Sequence, residues 1–393
     1  MAYERPLISD LHAYAPGEQP ADMSRVIKLN TNENPYPPAP EVMAAIHQVS
    51  ADALRRYPSP SAAGFRGAAA ALHGVHADQI IATNGGDELL RMLIQVFAEP
   101  GGVIGLSEPT YTLYAVLAAS HGAGIAKVER GPGFELPADL AQKWNAAGAR
   151  IGFVVNPHAP TGRFETPETL ARVAREFQGV LVVDEAYVDF APDSCLSLVR
   201  GLAALPNVIL LRSMSKGYGL AGLRFGYGIG PSALVAAMHK VRDSYNCDAL
   251  SQAAATAALQ AQAYYLPLHG RVRAERDRLA GALRQRGWKV PDSHTNFILA
   301  EPPVDGNFSA FELYGALKLR RILVRYFKYP RLDDKLRITI GTPEQDDRLL
   351  AEIDDIVSGS TGAFQPFPSP HTDSRADLRA LPGTNPPHPP KLP

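Results

Sequence analysis

Cysteine is nearly absent: Cys195 and Cys247 are the only two in 393 residues. Two cysteines cannot build a disulfide framework, and no CxxC or mixed Cys/His cluster suggests a zinc site. Both are expected as small buried apolar groups. Charge bias is absent too. Lys plus Arg number 39 against 40 Asp plus Glu, a formal net charge of -1. No whole-molecule field therefore draws the chain to nucleic acid or to an anionic membrane. Long apolar runs are missing as well. The uncharged stretch nearest to spanning length, Ala249–Gly270, is interrupted by Gln, Ser and Pro and is rich in Ala, too polar for hydrocarbon. Met1 to Asp10 carries charge and proline and has no apolar signal core, so a cytoplasmic location is expected. No repeat with a period of roughly 20–50 residues is visible.

What is present is an ordinary globular composition, 46% hydrophobic and 20% charged, long enough for two or three domains. Short apolar runs alternate with amphipathic or Ala-rich stretches. Strands are expected at Gln79–Thr83, Val103–Leu106, Ile151–Asn156, Val180–Asp184, Val208–Arg212 and Phe225–Ile229. Helices are expected at Gly86–Ala98, Thr110–His121, Pro167–Phe177 and Leu196–Ala203. Continuous apolar strands separated by helices imply an α/β fold, a mostly parallel sheet covered by helices on both faces. Beyond about Tyr265 the texture changes to a charged helix, Gly270–Arg286, then strand-like Asn296–Ala300, helical Ala310–Leu319, strand-like Leu336–Ile340 and helical Arg348–Val357. This reads as a smaller α+β domain joined near Pro267. The expected division is an N-terminal segment 1–33, a large domain 34–267, a small domain 268–358 and a Pro-rich disordered tail 359–393 with nine prolines.

Chemistry gathers at three strand ends. Asn156-Pro157 closes one, Asp184-Glu185-Ala186-Tyr187 the next, and Ser213-Met214-Ser215-Lys216 the third, with Arg224 following. Ligands of open α/β sheets bind at the carboxyl ends of strands, so these groups are expected to share one pocket. A strand-end lysine with lowered proton affinity can form a Schiff base. An acid such as Asp184 could pair with a pyridinium nitrogen and keep that ring an electron sink. Asn156 and Tyr187 could donate to a ring oxygen, and Ser213, Ser215 and Arg224 suit a phosphate dianion. Asn84-Gly85-Gly86-Asp87 opens a helix, where backbone N–H groups can close on an anion.

Further runs complete the pattern: Asn32-Glu33-Asn34-Pro35-Tyr36-Pro37, Arg56-Tyr57-Pro58, Pro109-Thr110-Tyr111, Leu220-Ala221-Gly222-Leu223-Arg224 and Leu336-Arg337-Ile338-Thr339-Ile340-Gly341-Thr342. In this order, over residues 7–357, they resemble the fold-type-I pyridoxal-phosphate (PLP) enzymes, most of all the histidinol-phosphate aminotransferases. The resemblance implies that Lys216 carries PLP as a Schiff base and shuttles the reaction's proton, with Asp184 and Tyr187 as its catalytic companions. It implies that Asn156 and Tyr187 hold the ring oxygen and that Tyr111 stacks on the ring. Gly85, Gly86, Asp87, Ser213, Ser215 and Arg224 would surround the cofactor phosphate, with Tyr57 reaching it from a neighbouring subunit of a homodimer. Arg337 would clamp an amino-acid carboxylate, Arg325 and Tyr14 the phosphate of histidinol phosphate, and Asn34 would line the mouth. The implied activity is ping-pong transamination between a small-molecule amino donor and a keto acid: L-histidinol phosphate plus 2-oxoglutarate giving imidazole acetol phosphate plus L-glutamate, a step of histidine biosynthesis.

The chain departs from the family pattern at His158-Ala159, at Gly217-Tyr218-Gly219 and in a Gly-Gly-Asp phosphate loop. Aromatic transamination and threonine-phosphate decarboxylation on the same scaffold therefore stay open. So does a PLP-binding protein without catalysis. Gly217 to Gly222 also spells GxGxxG, the mark of a nicotinamide dehydrogenase, but Ser213–Lys216 separates it from the strand that such a motif should follow directly. Taken singly, Lys216 could be a solvated lysine, Asp184 a helix cap and Arg337 half of a buried ion pair. Tyr57 and Tyr111 could be ordinary packed aromatics. His158 is expected to fill space or bond a backbone group.

Overall fold

A computed structural model describes residues 3–359, apart from residues 10, 12, 15, 23, 24, 305 and 307. The tail expected over 359–393 lies, beyond Gly359, outside the described residues. The strands are β1 (Ile27–Lys28), β2 (Ile80–Thr83), β3 (Val103–Glu108), β4 (Gly124–Glu129), β5 (Ala149–Val155), β6 (Val180–Asp184), β7 (Val208–Ser213), β8 (Gly226–Ile229), β9 (Phe297–Ala300), β10 (Ile322–Leu323), β11 (Arg325–Tyr326) and β12 (Leu336–Thr339). Seven of them form one sheet in the order β2-β8-β7-β6-β5-β3-β4. Only β8 runs against its neighbours. The strands β2, β5, β6 and β7 are buried along most of their length, as expected for a sheet covered on both faces.

The edge strand β4, Gly124–Glu129, is not foreseen from the sequence. Its residues are mostly exposed or half-buried, so it lacks the continuous apolar run that marks its neighbours. Conversely, the helix expected at Leu196–Ala203 is only a 3-10 turn over Cys195–Leu198. Gly201 adopts φ of 71°, which ends any helical path there. Trp144, fully buried, lies over β3 and β5, where a Cβ on Gly105 or Gly152 would come within 2.5 and 2.4 Å of its ring. Those glycines are the space the indole occupies.

A second sheet, β11-β12-β9, is antiparallel and carries the smaller C-terminal core with β10 and the flanking helices. Helix Ala310–Leu319 starts on a capping box between Ser309 and Glu312. Helix Pro343–Ser358 starts on another, Thr342 with Gln345, with proline in the first turn. The N-terminal segment joins this part: β1 pairs with β10 in parallel, and Leu29 is buried in its core. The junction expected at Pro267 falls inside a continuous helix, Gln262–Gln285. Proline removes one helical donor, but Tyr265, His269, Val272 and Leu279 are buried from the same helix, and that packing carries it through.

Candidate active site

The convergence follows from strand direction. Strands β2, β7, β6, β5 and β3 point the same way, so the segments after their carboxyl ends emerge on one side. Arg224, just before the reversed β8, arrives at that same end. Its φ is 57°, a left-handed turn that reverses the chain between Leu223 and β8.

Lys216 is half-buried, and its Nζ donates to the Thr31 carbonyl at 3.0 Å. Nζ also lies 6.0 Å from the Tyr187 ring centroid. Burial first, then the Arg337 charge, lower the ammonium to about 8, while Glu33 opposes the shift. An appreciable share of neutral amine near physiological pH suits a nucleophile. Asp184 is buried and is pushed up to about 6 by desolvation. Two donors oppose that rise: the Tyr114 hydroxyl at 2.6 Å from Oδ2 and the Ala186 amide at 3.0 Å from Oδ1.

The phosphate-loop residues sit together. Helix Gly85–Phe97 begins after β2, and Arg224 Nη2 reaches Asp87 Oδ2 at 3.3 Å. Gly85 has φ of 79°, and a Cβ there would lie 2.8 Å from Arg224 Nη2. Only glycine serves both demands. The Ser215 amide donates to Ser213 Oγ at 3.1 Å, which draws these two side chains into the same turn. Gly86 follows Gly85 in the helix's first turn, where amides are free of intrahelical partners.

On the other side, Arg325 and Arg337 are direct cross-strand partners on β11 and β12, so their side chains rise on one face. Arg337 is half-buried; Nη2 donates to the Asn30 carbonyl at 2.9 Å, and the buried Nε has no hydrogen-bond partner among the described residues. The guanidinium lies over the Phe297 and Phe327 rings at 5.2 and 5.4 Å. Burial, and after it the Arg325 charge, lower its proton affinity, while the neighbouring phenols of Tyr187, Tyr14 and Tyr111 oppose the shift. Tyr111 packs edge-on against Tyr14 and Tyr114, with centroids 5.6 Å apart in each pair.

Two expected residues, Asn156 and Asn34, are placed differently. Asn156 is buried, but its Nδ2 donates to the Glu165 carbonyl at 3.0 Å and lies 3.9 Å from Cys195 Sγ, while its Oδ1 accepts from the Glu165 amide at 2.8 Å. One amide hydrogen is thereby spent on the neighbouring loop, and the other meets only the weak, distant sulfur. Asn34 likewise does not line a mouth with a free side chain. Its Nδ2 donates to the Lys216 and Gly217 carbonyls at 2.9 and 3.0 Å, and its Oδ1 accepts from the Tyr36 amide. It tethers the lysine's backbone. Tyr57 lies 81% exposed, stacked on Tyr245 at 4.4 Å, and joins none of the groups above within its own chain. His158 is fully buried between Thr161 Oγ1 and the Pro109 carbonyl, and burial holds its proton affinity well below the usual range.

Two residues escape the sequence reading. Tyr114 follows Tyr111 by three positions, and a tyrosine inside an Ala/Leu-rich helix needs a partner for its hydroxyl; that need was the available signal. Asn32 lies in a recognised run, but its role shows only in space. Its Nδ2 donates to the Tyr187 phenol oxygen at 2.9 Å.

Comparison with known proteins agrees with this geometry. Residues 24–353 match the family model described as aminotransferase class I and II. Histidinol-phosphate aminotransferase 1 of Nostoc sp. is 46% identical over 356 residues, covering 90% of this chain and 98% of that protein. Histidinol-phosphate aminotransferase of Syntrophotalea carbinolica is 42% identical over 349 residues, covering 89% and 98%. Among solved structures, histidinol-phosphate aminotransferase from Sinorhizobium meliloti in complex with pyridoxal-5'-phosphate superimposes with a TM-score of 0.83 at 26% identity, covering 92% of this chain and 99% of that one. A sheet built this way, a half-buried lysine just past the end of β7 and family similarity over nearly the whole described length agree: the chain belongs to the aminotransferase class I and II family.

Proposed function

We propose that this chain is a PLP-dependent aminotransferase that exchanges the amino group between L-histidinol phosphate and 2-oxoglutarate, giving imidazole acetol phosphate and L-glutamate. The observation that carries this reading is the pairing of a half-buried, weakly basic Lys216 with Arg337, whose buried Nε is unpaired among the described residues. The site fits the cofactor. The Gly85 turn closes on Arg224 with no room for a side chain, a cradle for phosphate, and Asp184 offers a desolvated carboxylate to a cationic ring nitrogen. Lys216 would hold the aldehyde, Ser213, Ser215, Arg224 and the Gly85-Gly86 amides the phosphate, and Tyr111 a ring face. When bound, PLP supplies an electron sink that makes a substrate's α-carbon proton removable.

The protein's own groups do the rest. Lys216 Nζ, about half neutral at pH 8, takes that proton and returns it one carbon away. Arg337 orients the carboxylate of glutamate as a planar fork. Arg325, directly opposite on β11, meets the second anionic group, either the side-chain carboxylate of glutamate or the substrate phosphate. Two guanidinium groups on one face repel, and a dianionic substrate relieves that repulsion. Tyr14, packed on Tyr111, borders the same space.

The large domain 34–267 would carry the cofactor and the small domain 268–358 the anion-binding strands. The exposed Tyr57–Tyr245 stack supports a homodimer in which Tyr57 serves the neighbouring site. Among the described residues no helix is long and apolar enough to cross a membrane, in keeping with a cytoplasmic enzyme on small molecules. Steady-state assays with histidinol phosphate, phenylalanine, tyrosine and threonine phosphate, each with 2-oxoglutarate, test the reading. Histidinol phosphate should show the highest kcat/KM, and Lys216→Ala should lose both the visible chromophore and turnover. Carbon dioxide release from threonine phosphate without a keto acid would refute it.

A further inference from the structure

The segment from Leu29 to Asn34 runs between the two parts of the site and bonds to each. The Leu29 carbonyl accepts from the Thr339 amide, the Asn30 carbonyl from Arg337, and the Thr31 carbonyl from Lys216. Asn32 is the most constrained residue of the run. It is 2% exposed and takes φ of 55°, a left-handed conformation that asparagine tolerates better than most residues. Its main-chain N–H donates to Thr339 Oγ1 at 3.0 Å, and its carbonyl accepts from Asn296 Nδ2 at 3.0 Å. Its Oδ1 accepts from the Thr339 hydroxyl at 3.0 Å, and its Nδ2 donates to Tyr187 at 2.9 Å.

The hydroxyl of Thr339 fixes which way the carboxamide faces. That hydroxyl accepts from the Asn32 N–H, so its one proton goes to Oδ1. The flipped carboxamide would leave a fully buried hydroxyl proton without an acceptor, a cost of about 1–3 kcal/mol. With Nδ2 facing Tyr187, the phenol oxygen is an acceptor toward Asn32, and its own proton must go elsewhere. Thr339 and Arg337 stand two residues apart on β12, so their side chains share a face.

We propose that Asn32 is a positioning residue for Tyr187. By donating to the phenol oxygen it turns the Tyr187 proton into the space bordered by Lys216, and through Thr339 it ties that orientation to the strand carrying Arg337. The proposal rests on the aminotransferase reading, in which the oxygen awaiting that proton belongs to the cofactor ring.

The direction of one hydrogen bond is therefore the quantity to reverse. In Asn32→Asp a carboxylate replaces the donor and accepts the Tyr187 proton, pointing it away from the cofactor. The ring oxygen of the PLP-loaded protein then loses a donor, keeps more negative charge and holds its neighbouring proton more tightly. The pH midpoint of the visible absorption band should rise by about one unit, a tenfold change in proton affinity. Thr339→Val, which frees the carboxamide to flip and keeps the side-chain shape, should shift the midpoint in the same direction by less. In a Tyr187→Phe background Asn32→Asp should add a markedly smaller shift, only the through-space effect of the new carboxylate, because the rest runs through the phenol. An unchanged midpoint in both single variants, or an equal shift without the Tyr187 hydroxyl, overturns the proposal. If Asn32→Asp does not fold, Thr339→Val alone decides in the same way. A wild-type protein that takes up no PLP and shows no visible band would instead refute the aminotransferase reading, and this proposal with it.

Discussion

Tyr114→Phe removes a single oxygen from the protein, and its effect should depend on pH in a calculable way. The Tyr114 hydroxyl donates to Asp184 Oδ2 at 2.6 Å inside a fully buried contact. Burial raises the Asp184 carboxyl from 3.8 to about 6. The folded apoprotein thus binds this proton more tightly than the unfolded chain does. Stability from the group is fully present below about pH 4 and is lost as the pH rises through about 6, by roughly 3 kcal/mol in all. Without the tyrosine donor the charged carboxylate loses a bond worth about 1.5–3 kcal/mol. The charged form loses about 1–2 kcal/mol more than the neutral one, so the folded midpoint should climb by about 0.7–1.5 units, to about 7. Above that midpoint the variant should be less stable than wild type by about 2–3 kcal/mol. Below about pH 5, where Asp184 is neutral in both proteins, only a neutral bond is missing, and the deficit should shrink to about 1 kcal/mol. At this chain length each kcal/mol moves the melting temperature by roughly 1.2 °C. Calorimetric melting of the two apoproteins should show a gap of about 2.5–3.5 °C at pH 8 that narrows to about 1 °C at pH 5. Other titrating groups are common to both proteins and cancel in the difference. A gap that stays constant from pH 5 to 8 would show that Tyr114 does not stabilise the Asp184 charge, and the argument would fail.

Gly85→Ala places a Cβ 2.8 Å from Arg224 Nη2 at φ of 79°; PLP affinity, followed by fluorescence quenching of the apoprotein, should fall by about tenfold or more, because both the turn and the arginine must shift. Undiminished affinity would remove this turn from the phosphate cradle. Arg325→Gln should raise KM for histidinol phosphate by about tenfold or more while changing that for phenylalanine little, since only the phosphorylated substrate needs the second cation. Equal losses for both substrates would exclude Arg325 from phosphate binding.

The sequence alone determined those features that depend on local chemistry. Apolar runs separated by amphipathic stretches specify the parallel strands, because a strand buried on both faces must be apolar at every position. Strand-end placement of Asp184, Ser213 and Lys216 follows from those runs, and the turn chemistry of Gly85-Gly86 is readable before any coordinates. Helix Ala310–Leu319 is delimited correctly by its own capping residues and apolar spacing. Where local signals weaken, the reading weakens too. The exposed edge strand β4 has little apolar pattern to show, and the helix through Pro267 persists only because distant residues pack against it.

What only the tertiary structure decided is where each side chain's hydrogen bonds go. Asn156 and Asn34 have the right residue type at plausible positions, but each spends its carboxamide on backbone groups that the chain brings alongside. Asn32 lies 155 residues before Tyr187 and 307 before Thr339, and Tyr114 lies 70 before Asp184. A short-range polar contact has a direction and a length near 3 Å, and no periodicity along the chain encodes either. Composition and pattern choose the sheet and set the reactive groups at its edge, and the packing of the two cores against the N-terminal segment decides which of those groups remain free to act.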